Sequence, residues 1–250
     1  MKTIWITGGS SGIGFAVAKK FLINNWKVII SSSNKEKLKL AEKKLKKINK
    51  NIIGIKCDIT KSIEVKKAIN FIEKKIAPID LALLNAAAYS PNKSQEFDIK
   101  NYELLIDVNL KGTLYCIEHL LKCMKNRNNH IAVVASPVGY RGMPTAGAYG
   151  MTKAAQINLT ESLFFDFKKY NIKISVINPG FIDTESTKKN SFKMPFLKSS
   201  NYAADKIYNG LTKKYTFEIY FPFILLTVLK ILRILPLKIY SFIWKKLGNF

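Results

Sequence analysis

Two side chains in the segment GAYGMTKAA, residues 147–155, can do acid–base chemistry together: Tyr149 and Lys153. Residues four apart on a helix point the same way, so the phenol and the ammonium can meet. A free phenol has a pKa of about 10 and moves protons poorly at neutral pH. A neighbouring positive charge favours the phenolate and lowers that value. Such a tyrosine can give a proton to a substrate oxygen or take one from it. The pattern alone is short, and a half-buried aromatic beside a snorkelling lysine produces it as readily. Its company gives it weight. Ser136 closes the apolar run HIAVVAS thirteen residues earlier, and Asn109 lies in DVNLKGT, in a helical region before that run.

A second chemistry is written in TGGSSGIG, Thr7 to Gly14. Glycines at 8, 12 and 14 let the chain turn tightly and bring backbone N–H groups close to a pyrophosphate at a helix N-terminus. The spacing G-x-x-x-G-x-G differs from the commoner G-x-G-x-x-G, and its place after a first strand is what supports a dinucleotide. Asp58 in CDIT, NAAA (85–88) and PGFIDT (179–184) also follow apolar runs. Loops at strand C-termini line the ligand crevice of parallel sheets. Asp58 and Thr60 suit helix caps as well.

Positioning these residues requires a sheet. TIWIT (3–7), KVIIS (27–31), NIIGIKC (51–57), IDLALLN (79–85), HIAVVAS (130–136) and IKISVIN (172–178) read as buried strands. Helical patterns fill residues 13–24, 35–48 and 61–76, two segments over 98–126, and 146–169. Continuous apolar strands alternating with helices imply an α/β fold, a parallel sheet covered on both faces. Right-handed crossovers make it doubly wound. The expected architecture is one Rossmann-type domain over 1–215, with about seven strands, the last of them in a segment 216–250 that also carries C-terminal helices.

The chain has 250 residues and a net charge of +24, and of its 41 basic residues three are arginine, which leaves 38 lysines. Nucleic-acid readers lean on arginine for bidentate base contacts, so no specific nucleic acid is expected. The charge still attracts anionic ligands and acidic membrane surfaces. Cys57, Cys116 and Cys123 form no CxxC pair and read as reduced thiols of a cytoplasmic chain, and the two histidines have no metal-ligand spacing. MKTIWITGG is too brief in its apolar stretch for a signal or a span.

Taken together, TGGSSGIG, NAAA and the ordered set Asn109, Ser136, Tyr149 and Lys153 resemble the short-chain dehydrogenase/reductase family over residues 1 to about 215. The resemblance implies an oxidoreductase that passes hydride between NADP(H) or NAD(H) and a carbonyl or alcohol. Tyr149 would be the general acid in reduction and the base in oxidation. Lys153 would hold the nicotinamide ribose and depress the tyrosine pKa, and Ser136 would hydrogen-bond the substrate oxygen. Asn109 would bend its helix and order a relay water. Gly8, Ser10, Ser11, Gly12, Ile13 and Gly14 would cradle the cofactor, together with Ser32 and Ser33. Asp58 would approach the adenine, Asn85 and Ala86 would line the crevice, and Pro179, Gly180, Ile182 and Thr184 would reach the carboxamide end. The departures are Ala87 where the family often has glycine, and Pro137 directly after the serine. The alternative is a catalytically silent nucleotide-binding sensor or scaffold on the same fold. A homo-oligomer is expected.

At the end of strand two, where family members that use NAD carry a carboxylate, this chain has SSSNK (31–35). Three hydroxyls, an amide and Lys35 suit a 2′-phosphate better than a bare diol, which favours NADP(H) over NAD(H). Ser11 stands where NADP users often have a basic residue, which argues the other way. ESTKKNSFKMPFLKSS (185–200) occupies the family's substrate lid, and Phe192, Met194, Phe196 and Leu197 there point to an apolar substrate.

The tail from Glu218 has a charge-free stretch of only 11 residues, Ile219 to Leu229, short of the roughly 20 a membrane span needs. Thr227, Lys230 and Arg233 make one polar stripe, Pro236 interrupts, and Lys238, Ser241 and Lys245 make a second. Across from the second lie Ile239, Phe242, Ile243 and Trp244. Two basic amphipathic helices of this kind suit the cytoplasmic face of a membrane. A subunit interface and a lid over the substrate pocket are the competing uses.

Overall fold

In the computed structural model, which describes residues 1–90, 97–190, 192 and 194–247, seven strands form one parallel sheet. They are β1 (Thr3–Thr7), β2 (Lys27–Ser32), β3 (Ile52–Lys56), β4 (Leu81–Leu84), β5 (His130–Val134), β6 (Lys173–Pro179) and β7 (Glu218–Phe221). Their order is β3-β2-β1-β4-β5-β6-β7, so the reversal lies between β1 and β4, and every strand ends at the same edge. Ligands in such sheets bind at that edge, near the reversal.

The helices are α1 (Gly12–Ile23), α2 (Lys35–Lys46), α3 (Ser62–Phe71), α4 (Ile99–Leu105), α5 (Gly112–Met124), α6 (Gly147–Asp166), α7 (Ser200–Thr212), α8 (Phe223–Ile234) and α9 (Leu237–Leu247). Successive side chains of a strand face opposite sides, and the sheet uses this to feed two cores. Ile4 and Ile6 pack with Phe21, Leu45 and Ile207 under α1, α2 and α7. Trp5 packs on the other face with Ile69, Leu120 and Ile131 under α3 and α5.

Two segments differ from the regular helices expected. Ile72–Ile76 and Ile106–Lys111 are wider, π-helical turns; the second makes one continuous path of α4 and α5. Such turns insert a residue into the ladder and turn a side chain out of its normal register. Here the side chain is Asn109. The segment after residue 216 supplies β7, beside β6, before its helices begin. Among the described residues no helix is long and apolar enough to cross a membrane. Ser191, Lys193 and the last three residues of the tail lie outside the described residues.

Phe21 is fully buried, with edge-on contacts to Trp26 at 5.0 Å and Tyr208 at 4.9 Å, and it fastens α1 to α7. Phe21→Ala is expected to cost about 3–5 kcal/mol, measured by urea denaturation.

Candidate active site

The edge where the strands end brings Tyr149, Ser136, Lys153 and Asn109 into one connected cluster. Tyr149 and Lys153 lie one turn apart on α6, and the ammonium sits over the phenol ring, 5.4 Å from its centroid. Ser136 follows β5 and caps a short 3-10 turn, Pro137–Gly139, accepting from the Val138 N–H at 3.4 Å. That turn lies flat on α6. A Cβ at Gly139 would fall 2.5 Å from the Lys153 carbonyl carbon, so only glycine lets the serine come this close. Pro137, at the start of the turn, leaves the hydroxyl in place. The Ser136 hydroxyl lies close enough to the phenol to favour its ionised form.

Lys153 is 1 % exposed, and its Nζ donates to the Val134 carbonyl at 2.9 Å and to Gln156 Oε1 at 2.8 Å. Gln156 in turn donates to the Asn109 carbonyl at 2.8 Å and to Thr113 Oγ1 at 2.9 Å. Asn109 reaches sideways from the π-helical turn: its Oδ1 accepts from the Ala88 N–H at 2.8 Å and its Nδ2 donates to the Ala88 carbonyl at 3.1 Å. An unbroken chain of hydrogen bonds therefore runs from the ammonium to the backbone oxygen of Asn109. Gln156 is absent from the residues singled out in the sequence. Its signal was available, since 149, 153 and 156 share one helical face and a polar side chain on a buried face needs a partner.

Electrostatics here are governed by burial. Desolvation pulls the Lys153 pKa from 10.5 down to about 7. It pushes the Tyr149 phenol well above its ordinary value, Tyr89 adds to the rise, and the Ser136 hydroxyl offsets part of it. The resemblance implied the opposite, a phenol depressed by Lys153. The reason for the difference is geometric: the ammonium lies over the ring and is spoken for by Val134 and Gln156, so within the protein the desolvation of the phenolate dominates.

Tyr89, not among the expected residues, packs edge-on against Tyr149 with ring centroids 4.8 Å apart. Its hydroxyl donates to Asn190, and Lys189 Nζ donates to its carbonyl at 3.3 Å, which ties the segment after β6 to the tyrosine pair. The aromatic partner lies sixty residues from Tyr149 in the chain, beyond the reach of local patterning.

The glycine turn lies between β1 and α1. Gly8 has φ +66°, and a Cβ at Gly14 would lie 2.4 Å from the Gly8 carbonyl oxygen, so the chain doubles back with no side chain between its arms. Asn85 locks it: Nδ2 donates to the carbonyls of Thr7 at 3.0 Å and Gly8 at 3.2 Å. Thr7 Oγ1 accepts from the N–H groups of Asn85 at 2.9 Å and Ala86 at 3.1 Å, a clasp that the sequence patterns did not single out. Ser11 is the extended N-cap of α1, and Ile13 packs onto the core. Gly12 opens α1 facing Thr184, whose methyl would stand 3.3 Å from a Cβ there. Ser10 Oγ donates to Ser32 Oγ at 3.1 Å, with Ser33 exposed beside it. These residues fit a dinucleotide: backbone donors at a helix N-terminus are bared, and hydroxyls flank them.

The other residues take mixed parts. Asp58 Oδ1 accepts from the Thr60 N–H at 3.0 Å and hydroxyl at 2.8 Å, closing a turn after β3. Pro179 ends β6, and the Gly180 N–H donates to the Phe221 carbonyl at 2.8 Å, facing the tail rather than the glycine turn. Ile182 is buried in a bridge to Lys198, and Thr184 is held by Thr187. Phe192 and Phe196 are exposed. Among the described residues no three His, Cys, Asp or Glu side chains gather as a metal site.

A family model described as short chain dehydrogenase matches residues 2–216. An uncharacterized oxidoreductase of Staphylococcus aureus is 30 % identical over 183 residues, 73 % of this chain and 78 % of that protein. A solved structure described as ElxO with NADP bound is 30 % identical, with a TM-score of 0.79 over 88 % of this chain and 97 % of that one. A Burkholderia phymatum short chain dehydrogenase/reductase solved with NAD has a TM-score of 0.82 over 92 % of each chain at 19 % identity, a likeness of fold.

The Lys153 pKa of about 7 lies below its unfolded value of 10.5. Between the two the unfolded chain holds more protons, so this group's contribution to stability rises as pH climbs through that window. Lys153→Met removes the penalty of the buried charge. Its stability relative to the parent is expected to be most favourable near pH 6 and to fall by on the order of 2 kcal/mol toward pH 9, read from urea melts at each pH.

Proposed function

The chain belongs to the short chain dehydrogenase family, and from that premise we propose that it is an NADP(H)-dependent reductase or dehydrogenase acting on an apolar carbonyl or alcohol. The observation that carries this is Tyr149 one turn from a buried Lys153 on α6, with the Ser136 turn packed against that helix, at the sheet edge where the glycine turn opens α1.

A bound nicotinamide supplies or accepts the hydride. The protein's part is to hold the oxygen and move the proton. Ser136 donates a hydrogen bond to the substrate oxygen, which gathers charge during reduction. Tyr149, kept neutral by burial, holds the proton that this oxygen must receive; in oxidation it takes that proton back. Lys153 has three donors, and the protein engages two of them among the described residues. The third suits a ribose hydroxyl. The chain Lys153–Gln156–Asn109 holds the ammonium in register.

Gly8, Ser10, Ser11, Gly12, Ile13 and Gly14 bind the pyrophosphate, with Asp58 and Ala86 toward the adenosine half and Pro179, Gly180, Ile182 and Thr184 toward the nicotinamide. Of these, Gly180 faces the tail, so its part is to hold β6 and β7 together at that end. Ser32, Ser33 and Lys35 present hydroxyls and a cation without a carboxylate, which supports a 2′-phosphate. ElxO, solved with NADP, supports the same preference. Phe192, Phe196 and Leu197 support an apolar substrate. The enzyme acts in the cytoplasm as a homo-oligomer, peripheral to the membrane.

In a screen of lipophilic ketones and aldehydes followed by NADPH oxidation, Tyr149→Phe is expected to lower kcat by about 10²–10⁴-fold while NADPH still binds. Turnover at parental rates would remove Tyr149 from the chemistry. Ser32→Asp is expected to shift the NADPH-to-NADH ratio of kcat/KM toward NADH by about tenfold or more, through repulsion of the 2′-phosphate. An unchanged ratio places the phosphate elsewhere.

A further inference from the structure

After Glu218 the chain contains no acidic residue and five cations, Lys230, Arg233, Lys238, Lys245 and Lys246. The structure sets this tail with its amphipathic sense reversed for a water-facing helix. Lys230, from the polar stripe of α8, turns inward: it pairs with Glu218 and lies 3.9 Å over the centre of the Tyr220 ring. Leu226 fills the space beside Gly180. Outward, α8 presents Phe223, Ile224, Val228, Ile231 and Ile234, continued by Leu237 at the start of α9; Ile224 is 65 % exposed and Ile234 79 %. These residues fall within one arc of the helix, and the only polar side chain in that arc is Thr227. On α9 the exposed side chains alternate in kind, Lys238, Lys245 and Lys246 among Ile239 and Phe242.

The ridge is fastened to the catalytic edge. Arg141 lies between Ser136 and Tyr149 in the chain, and its Nη1 donates to the carbonyls of Leu232 at 2.8 Å and Arg233 at 3.1 Å, and to that of Leu235. Its guanidinium lies 4.1 Å over the Tyr240 ring, and the Tyr240 hydroxyl donates to the Gly142 carbonyl at 2.7 Å. The loop that leads into Tyr149 is thus held against the α8–α9 junction.

We propose that this outward apolar ridge is the face that docks on an anionic lipid bilayer, and that Arg141 thereby holds the loop leading into Tyr149 at the membrane surface. The inference rests on the peripheral placement proposed for the enzyme. An exposed apolar strip of this length calls for a cover. Charge complementarity selects the cover: apolar side chains enter the acyl boundary while lysines beside them reach anionic headgroups, and no carboxylate in the tail opposes them. The substrate is then a lipid-soluble carbonyl or alcohol that reaches the site from the bilayer.

Flotation with vesicles of equimolar phosphatidylcholine and phosphatidylglycerol, and with phosphatidylcholine alone, tests this without turnover. The parent is expected to float with the mixed vesicles, and Ile224→Glu with Ile231→Glu to lower the bound fraction about tenfold. Lys238→Gln, Lys245→Gln and Lys246→Gln together, all surface changes, are expected to remove the difference between the two lipids. A parent that stays unbound at low salt refutes the peripheral placement itself. A parent that floats as well with the ridge charged, or a lysine variant that keeps its lipid preference, refutes the docking face alone. Light scattering covers the remaining occupant: if charging the ridge lowers the particle mass, a second copy of the chain covers it and the proposal is wrong.

Discussion

An ammonium buried beneath the edge where the strands end is the constraint around which the rest of the molecule is arranged. A charge withdrawn from water is tolerated only with close acceptors, and Lys153 has them in the Val134 carbonyl and the Gln156 side chain. Each acceptor makes its own demand. Val134 must end its strand against α6, which Gly139 permits by letting the following turn lie on the helix backbone. Gln156 must be anchored by Thr113 and by a backbone oxygen at Asn109. A strand, two helices and a π-helical turn are therefore fixed by one cation, and Tyr149 inherits its position from them.

The same arrangement makes the phenol hard to ionise within the protein alone. Burial raises Tyr149 and lowers Lys153, so both groups are driven toward their neutral forms. A tyrosine in that condition is a proton donor first. Whatever eases its ionisation has to come from what binds beside it, and under the function proposed this would couple proton transfer to cofactor occupancy.

How much of this the sequence made legible follows from the range of each interaction. Apolar runs located all six strands of the first 180 residues, and a four-residue spacing paired Tyr149 with Lys153. Ser136 was legible because a strand end is a local event. The Thr7 clasp on Asn85 and Ala86 was not, since it joins residues almost eighty apart, and neither was the Tyr89 ring beside Tyr149. Gln156 lies three residues beyond Lys153, outside that four-residue pairing. The Tyr149 pKa went the other way because spacing tells that two groups are near, while the sign of the shift depends on where the cation points and how dry the site is. In the tail, the polar stripe is visible from periodicity, but the inward turn of Lys230 depends on Glu218, a carboxylate on the adjoining strand.

That carboxylate also accepts from Tyr140, which follows the serine turn, and from Asn178 on β6 at 2.9 Å. The match to the family model ends at residue 216, two positions before the edge strand that carries it. A chain cut before Pro222 would lose the border of the sheet and with it the carboxylate that gathers Tyr140, Asn178 and Lys230.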